Sequence, residues 1–482
     1  MPLRIGLLKK KIGVLRKKTC TLANTFHDCG MSAPFALLHD FVSSFKSLLP
    51  CSVLSNLTKK FGPRGGGKPK YTLEELIEAR VYHELKRSGT FSHNFQQISG
   101  TSVSDSALSQ RLQSVGVPLF EAILPAVLKP IAQPDLHPGS FYHGYRLTAV
   151  DGVRFNLRNT EAMKERALKN PCSKGDGEPA FAQLRAVVLL ELGHHQPLGA
   201  SMGWQQEGEQ TLYRKLFSTT TLPEKSLLMA DQLYGGAAII LEIKDVLERT
   251  GSAVLFRAKM NLKAKIVKRL SDGSTLVDVI VRCHKTKRKI GVIRLREIRA
   301  RITYEGEEEP LEIRFWTTLL DEKAHPAKEL VELYALRWEE ELFFRELKSH
   351  LHKKANLLDA QTPETAAQEL VAQLLAASLI AQQRGAVADF MGISIVRISF
   401  AIVYDRTASL FEFVATGGDL MSQEALITYT ERILEELGRS ALIKKRPGRS
   451  CPRTVRQPVK DWPKTKKPSS KILKKTIKIL NP

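Results

Sequence analysis

An apolar run near the middle of the chain constrains the fold more than any other feature. Residues 226–236 read SLLMADQLYGG, and the positions just before Asp231 are apolar in succession rather than in alternation. A strand that is apolar on both faces has to be covered on both faces, so this pattern predicts a buried strand inside a sheet. The run ends at Asp231, which places a carboxylate at the end of that strand.

A second carboxylate lies within an alternating strand. Residues 145–157, YRLTAVDGVRFNL, place Asp151 on the apolar face, which it shares with Leu147, Ala149, Val153 and Phe155. A carboxylate on an apolar face is unfavourable unless a cation or hydrogen-bond donors compensate it. Residues 180–204 predict two further strands around a turn at residues 193–196, and we interpret the paired histidines there as turn residues rather than metal ligands.

The third notable segment, residues 331–352, reads VELYALRWEEELFFRELKSHLH and is predicted to form one helix. At about 100° per residue, four polar side chains fall within an arc of roughly 60°: Tyr334, Arg337, Glu341 and Lys348. Leucines and phenylalanines occupy the other side. Taken alone, such a polar face is more often simply solvated than functional.

Three acids therefore lie on a strand, at the end of a second strand and on a later helix. Oxygen ligands in small number, shared with substrate phosphates, suit Mg²⁺. Two such ions about 4 Å apart can activate a nucleophile and stabilise the leaving oxygen in phosphoryl transfer. Asp151, Asp231 and Glu341 are accordingly the candidate catalytic and metal-binding residues, for two Mg²⁺ ions that Mn²⁺ can replace.

The chain divides into four predicted regions. Residues 1–30 form a basic extension, 31–137 a helical domain, 138–440 an α/β catalytic domain, and 441–482 a basic tail. Short strands separated by charged turns predict a β-rich insertion at about 260–320. Met31 is a candidate start of translation, which would leave the first thirty residues outside the protein.

The helical domain carries a candidate DNA-binding segment. In SVSDSALSQRLQSVG, residues 102–116, Ser104 or Asp105 can cap a helix whose buried side is formed by Ala107, Leu108 and Leu112. Gln110 and Arg111 would then face outwards, as in the reading helix of a helix-turn-helix. A plain helical bundle fits the same pattern equally well.

The charge of the chain is concentrated at its ends. The net charge is +23, yet residues 1–30 hold seven Lys/Arg against one acid and residues 441–482 hold fourteen against one, so the body is only about +4. Basic arms of this kind bind phosphate backbones without reading sequence, although solubilising tails look the same. Scattered cysteines and the lack of a long apolar run indicate a cytoplasmic protein without a membrane span.

Together these segments resemble the DDE transposases of the insertion sequence four family. That family carries its third acid in a Tyr-(2)-Arg-(3)-Glu-(6)-Lys signature, which YALRWEEELFFRELK matches without a gap. The resemblance extends through VDGVRFNLRNT, LLMADQLYGG and the closing RPGRSCPR at residues 446–453. Gln232 and Val153 depart from the residues that relatives commonly carry.

The resemblance implies a ribonuclease-H-like core with a β-rich insertion between the second and third acids. It implies that Glu341 completes the metal site while Tyr334, Arg337 and Lys348 hold the phosphate backbone at the transposon end. Trp338 and Phe344 flank the polar arc, where Trp338 would stack on a displaced base and Phe344 is expected to pack in the core. The implied function is cut-and-paste transposition of double-stranded DNA bounded by terminal inverted repeats, by a homodimer working at the nucleoid.

Two other functions fit part of the pattern. A catalytically inactive relative could act as a DNA-binding repressor, but such a protein has no need to retain three acids. A structure-selective ribonuclease-H-like nuclease would share the core but would not need the Tyr-Arg-Lys face.

Overall fold

The computed structural model describes ten stretches of the chain: 51–62, 70–86, 88–166, 182–204, 207–283, 286–304, 310–351, 358–417, 422–443 and 475–480. The predicted extension at 1–30, and most of the predicted tail at 441–482, lie outside them. No helix within the described stretches is long and apolar enough to cross a membrane.

The strands of the described residues form one mixed sheet. They are β1 Phe141–Tyr142, β2 Tyr145–Asn156, β3 Gln183–Glu191, β4 Gln196–Trp204, β5 Ser226–Ala230, β6 Ala253–Ala258, β7 Lys265–Arg269, β8 Thr275–Arg282, β9 Lys289–Tyr304, β10 Leu311–Thr317 and β11 Lys475–Ile479. Their order across the sheet is β4-β3-β2-β5-β6-β10-β9-β8-β7, with β1 paired to β2 and β11 paired to β9.

The direction of the strands changes at β2. Strands β3 and β4 run antiparallel to their neighbours, whereas β5 lies parallel to β2 and β6 lies parallel to β5. Every residue of β5 is buried, as its uninterrupted apolar run predicts, because helices cover both faces of an interior parallel strand.

The helices are α1 Cys51–Phe61, α2 Leu73–Leu85, α3 Phe91–Ser99, α4 Asp105–Val127, α5 Glu161–Arg166, α6 Glu209–Thr219, α7 Ala237–Glu242, α8 Lys244–Thr250, α9 Ala327–Leu333, α10 Trp338–Glu346, α11 Pro363–Met391, α12 Phe400–Gly417 and α13 Gln423–Ser440. Side chains from α6, α7 and α8 pack with those of β3, β5 and β6 in a continuous apolar core. Helix α11 is buried along most of its length.

The strands predicted at about 260–320 are present as β7 to β10, and they continue the main sheet. Strand β10 pairs with β6 from Arg314↔Ala258 to Thr317↔Leu255, and β9 pairs with the other edge of β10. The reason is that β10 is apolar towards the core, with Phe315 and Trp316 fully covered, so it completes the sheet beside β6.

The N-terminal helices begin where the sequence places their caps. Thr72 forms a capping box with Glu75 at the start of α2, and Ser104 rather than Asp105 caps α4 by accepting from the Ala107 amide. Leu108 and Leu112 are buried as predicted. The prediction that Ala107 is buried is wrong, because this first-turn residue faces solvent while the buried side of α4 continues through Val115.

These N-terminal helices pack directly on α11. Gln368 donates to the Leu112 carbonyl across 2.8 Å, and Gln373 donates to Glu84 across 3.1 Å. Tyr404 of α12 donates to the Glu84 carbonyl at 3.2 Å. Buried side-chain amides that bond across the contact tie α2 and α4 to the helices that follow the sheet.

Within the predicted basic tail, residues 475–479 form β11 and pair antiparallel with the end of β9, from Lys475↔Tyr304 to Ile479↔Ala300. This part of the tail is therefore an ordered strand of the sheet.

Candidate active site

The first two acids lie side by side on neighbouring parallel strands, at the carboxyl end of β5. Val150 and Ala230 are paired neighbours in the parallel strands β2 and β5, so the next residues, Asp151 and Asp231, occupy equivalent positions. Asp151 accepts from the Gly152 amide at 2.8 Å, and Asp231 accepts from the Leu233 amide at 2.7 Å. These local bonds orient both carboxylates at the carboxyl end of β5.

The segment 331–352 is not the single regular helix that its spacing predicts. Helix α9 ends at Leu333, a 3₁₀ turn covers Tyr334–Arg337, α10 follows, and Leu347–Leu351 form a π turn. Side chains three residues apart eclipse each other in a 3₁₀ turn, so Tyr334 and Arg337 align more closely than in an α-helix. The physical reason for the change is that both side chains reach the same sheet edge.

Arg337 spans two of the three acids. Its Nη1 lies 3.2 Å from Asp151 Oδ2, and its Nη2 donates to Glu341 Oε1 at 2.8 Å. Burial would lower the pKa of Arg337, but the Tyr334 hydroxyl and the two carboxylates raise it above its usual value. The guanidinium therefore remains charged and shows that a cation fits between Asp151 and Glu341.

The donor set suits a divalent metal, although the acids do not converge on one point. No group of three possible ligands among the described side chains is close enough to hold a metal ion. Arg337 accounts for this arrangement, because its guanidinium lies between two of the three carboxylates. Carboxylate oxygens alone, next to a charged phosphate site, are the ligands that Mg²⁺ prefers.

Two acids at this site have raised pKa values. Burial, with the nearby Asp231 and Glu209 carboxylates, raises the pKa of Asp151 to about 6, while the Gly152 amide and Arg337 oppose the shift. Glu340 is fully buried, and burial together with Asp151 raises its pKa well above the usual range. The Asp151 amide lies near enough to oppose that second shift without making a hydrogen bond of normal geometry.

Sequence reasoning missed Glu209 and Tyr234. Glu209 begins α6, and its carboxyl group lies so close to Gly152 that a Cβ there would be 2.5 Å from it. Tyr234 is fully buried, and within the described part of the chain its hydroxyl has no hydrogen-bond partner. An acid in the first turn of a helix is common, so nothing in the sequence distinguished Glu209.

The other residues of the signature line the same surface. Tyr334 donates to the Ala230 carbonyl at 3.0 Å, immediately before Asp231, and burial raises the pKa of its phenol. Lys348 Nζ lies 5.6 Å from the centre of the Phe155 ring, and burial lowers its pKa. From Asp151 to Phe155 is about 13 Å along β2, and from Arg337 to Lys348 is about 16 Å of helix, so α10 follows β2.

The remaining predicted contacts lie elsewhere. Trp338 is 45% exposed on the first turn of α10, whereas Phe344 is buried in the core. Gln110 is exposed on α4. Arg111 on the same helix donates to the Phe61 carbonyl at 2.8 Å and to Ser114 at 3.2 Å, so its guanidinium ties α4 to the end of α1.

Comparisons with known proteins identify a matching family model and one relative of similar sequence. Residues 142–379 match a family model described as a transposase DDE domain. The chain is 25% identical over 285 residues to the transposase InsG for insertion sequence element IS4 of Escherichia coli (strain K12), which covers 58% of this chain and 61% of that protein. This chain therefore spans about three-fifths of the length of that relative.

A solved structure, the cryo-EM structure of the piggyBac transposase synaptic complex with hairpin DNA, aligns over 85% of this chain and 87% of its own, with 10% identity and a TM-score of 0.42. The segment matched by the family model contains both aspartates and the whole Tyr-Arg-Glu-Lys motif. Over the segment that holds its candidate site, the chain is similar to transposase DDE domains and to the transposase of insertion sequence element IS4.

Proposed function

We propose that this protein is a DNA transposase that cleaves DNA at the ends of its element and joins them to target DNA, in a reaction dependent on a divalent metal. The observation that carries this proposal is the adjacency of Asp151 and Asp231, with Glu341 joined to Asp151 through Arg337. Three carboxylates at one sheet edge, two of them beside a guanidinium, suit phosphoryl transfer.

The strand order supports a ribonuclease-H-like core. Three successive antiparallel strands, β2 to β4, are followed by β5 and β6 in parallel on the other side of β2. The first acid lies in the central strand of this arrangement and the second at the end of its parallel neighbour. Strands β7 to β10 would then be the insertion that precedes the helix of the third acid.

Asp151, Asp231 and Glu341 would hold the metal. Two Mg²⁺ ions bound there would activate the attacking oxygen and stabilise the leaving oxygen. For this, Asp151 has to be ionised, and Arg337 has to exchange a carboxylate for another anion. A scissile phosphate is an anion that the planar guanidinium can bind through two parallel hydrogen bonds.

Lys348 and Tyr334 extend this anion site along the sheet edge. The Lys348 ammonium is partly buried against Phe155, and among the described residues it makes no ion pair. A desolvated ammonium without a carboxylate partner is stabilised by a phosphate. Trp338, exposed on the first turn of α10, presents an aromatic face on which an unpaired base can stack.

The partners of this reaction would be the terminal inverted repeats of the element and its target DNA. Gln110 on the exposed side of α4 would contact the end sequence, and Arg111 would join it after releasing the Phe61 carbonyl. Joining two ends at once calls for two active sites, so we propose a homodimer. Work on chromosomal DNA would place the protein at the nucleoid.

The test compares cleavage with end binding. Glu341→Gln should abolish cleavage of an end-bearing DNA duplex in Mg²⁺ while leaving binding in Ca²⁺ nearly intact. Arg337→Lys and Lys348→Met should weaken protection of the outermost end nucleotides in Ca²⁺ by about 1–3 kcal/mol each. Lys244→Met, at an exposed lysine of α8, is the matched control and should bind as the wild type does.

Two results would contradict the proposal. Wild-type cleavage by Glu341→Gln would remove that residue from the metal site, and wild-type protection by both cation variants would remove the phosphate contacts. Specific end binding by a wild-type protein that never cleaves would instead support the repressor alternative.

A further inference from the structure

The helix that carries Glu341 is held on its other side by the turn between β3 and β4. Glu339 and Glu346 are seven residues apart, two helical turns, so they share one side of α10. Glu341 is about 200° around the helix from Glu339 and shares the Arg337 guanidinium with Asp151. The turn, residues 192–195, contacts the side of α10 that carries Glu339 and Glu346.

Three polar contacts join the turn to α10. The Gly193 amide donates to Glu339, and His195 Nδ1 lies 2.7 Å from Glu346 Oε2. An ionised carboxylate can only accept, so Nδ1 carries the proton in this contact. His195 Nε2 is a further 3.9 Å from Glu339 Oε2, which places the imidazole between the two glutamates.

A third element closes the cluster. Arg384 of α11, itself buried, lies 3.4 Å from the same Glu346 oxygen. The turn, α10 and α11 therefore meet at one carboxylate. Because His195 and Arg384 are almost fully covered, these hydrogen bonds are shielded from water and hold their geometry more tightly than surface pairs do.

The backbone of the turn is shaped for this contact. Gly193 has φ of +83°, and a Cβ there would lie 2.3 Å from Ser140 Oγ. His195 itself has φ of +52°, in the left-handed region that residues other than glycine and asparagine rarely adopt. An uncommon conformation at a buried histidine that bonds a helix from another part of the chain indicates a constrained position.

We propose that His195 is a positioning residue: through Glu346 and Glu339 it sets the position of α10, and thus of Glu341 relative to Asp151 and Asp231. This inference rests on the proposed function, since it assigns the contact a role in metal binding. A displacement of about 1 Å at a reacting centre can reduce a rate about a hundredfold, so a contact behind the helix can matter to chemistry that it never touches.

The test uses two substitutions of the same residue. His195→Ala removes the hydrogen bond to Glu346, whereas His195→Asn places an amide nitrogen close to the position of Nδ1 and tolerates the left-handed backbone. His143→Ala is the control, because His143 is also a non-glycine turn residue with positive φ, at +47°, but it is exposed and lies in the β1–β2 turn.

The first readout needs neither DNA nor cleavage. Binding of Mn²⁺ to the free protein, followed by electron paramagnetic resonance, should weaken about tenfold in His195→Ala, and amide exchange over residues 338–346 should accelerate. His195→Asn should restore both to near the wild-type values, and His143→Ala should change neither. Equal Mn²⁺ affinity in His195→Ala and wild type would overturn the proposal, as would failure of Asn to restore it.

The second readout links the contact to the reaction. The Mg²⁺ concentration for half-maximal cleavage should rise about tenfold in His195→Ala, with end binding in Ca²⁺ unchanged. His195→Ala combined with Glu346→Gln should cost little more than the single substitutions if the two residues act through one contact. Fully additive losses, or a lower melting temperature with an unchanged Mg²⁺ requirement, would reduce His195 to a structural residue.

These readouts separate the two proposals. If the wild type cleaves no DNA yet Mn²⁺ binding responds to His195 as expected, the positioning role stands and the proposed transposition fails. If cleavage occurs and Mn²⁺ binding ignores His195, the reverse holds.

Discussion

The candidate active site and the insertion strands both bury arginines with carboxylates, but the pKa values of the buried carboxylates shift in opposite directions. In the insertion, Glu297 of β9 accepts hydrogen bonds from Arg314, Arg299 and the Trp316 indole. Burial alone would raise the pKa of Glu297, but the bonds from Trp316 and Arg314 hold it below its usual range. Each buried charge there has its partners.

At the candidate active site the pKa shifts are reversed. Arg337 is shared between Asp151 and Glu341, and the pKa values of Asp151 and Glu340 are raised rather than lowered. Buried carboxylates with raised pKa values, crowded at a partly open edge, are characteristic of functional sites. The carboxylates of the insertion are thus matched by arginines and hydrogen-bond donors, whereas at the candidate site one guanidinium is shared between two carboxylates.

The largest effect should come from removing a site acid. Asp151→Asn should lower the cleavage rate about ten-thousandfold, or ~5.5 kcal/mol, because an amide is a poor substitute for a carboxylate ligand. Its stability at pH 7 should not fall. The folded-state pKa of Asp151 is raised, so ionisation near pH 6 and above costs stability that the neutral amide avoids.

Single-turnover cleavage in Mg²⁺ and thermal unfolding measure the two quantities on the same protein. If Asp151→Asn loses its fold along with its activity, Asp151 has a structural role like that of the carboxylates in the insertion.

Removing an acid of the insertion should affect the stability of the protein rather than its cleavage chemistry. Glu297→Ala should lower the free energy of unfolding by about 3–5 kcal/mol, because it leaves the buried Arg314 without its partner. Glu312→Ala is the control on the same sheet: its pair with Arg301 is exposed on both sides, so its loss should cost under about 1 kcal/mol. Urea denaturation followed by circular dichroism checks both, and equal losses would refute the distinction between them.

The pH dependence should sharpen the comparison further. With the pKa of Asp151 at about 6, cleavage at a fixed low Mg²⁺ concentration should fall about tenfold for each pH unit below 6 and level off above it. Glu209→Gln removes a neighbouring negative charge that raises this pKa, so it should move the midpoint to lower pH. A rate that stays constant from pH 5 to pH 7 would show that Asp151 is already ionised.

The smallest effect should come from Glu340. Burial raises the pKa of this side chain and so favours its neutral form, which Glu340→Gln replaces with a neutral group of similar shape. Stability should change by less than about 1 kcal/mol. A loss above about 2 kcal/mol in the free energy of unfolding, measured by urea denaturation, would mean that Glu340 is ionised in the folded protein.

Local sequence patterns specify which residues could form the site and on which elements they lie. Alternation placed Asp151 on the inner face of β2, an unbroken apolar run placed Asp231 at the end of β5, and motif spacing singled out Glu341. These are local properties, because the periodicity of a strand or helix decides which face a side chain occupies. The strand assignments and a helix cap at Ser104 or Asp105 follow from the same kind of reasoning, and the structure selects Ser104.

The tertiary structure decided how these residues meet. The register Val150↔Ala230 brings the aspartates together, and the 3₁₀ turn aligns Tyr334 with Arg337. Glu209 lies close to Gly152, and His195 lies within hydrogen-bonding distance of Glu346, so residues far apart in the chain meet. No local pattern specifies a strand register or the partner of a buried charge, because both depend on how distant segments pack to exclude water.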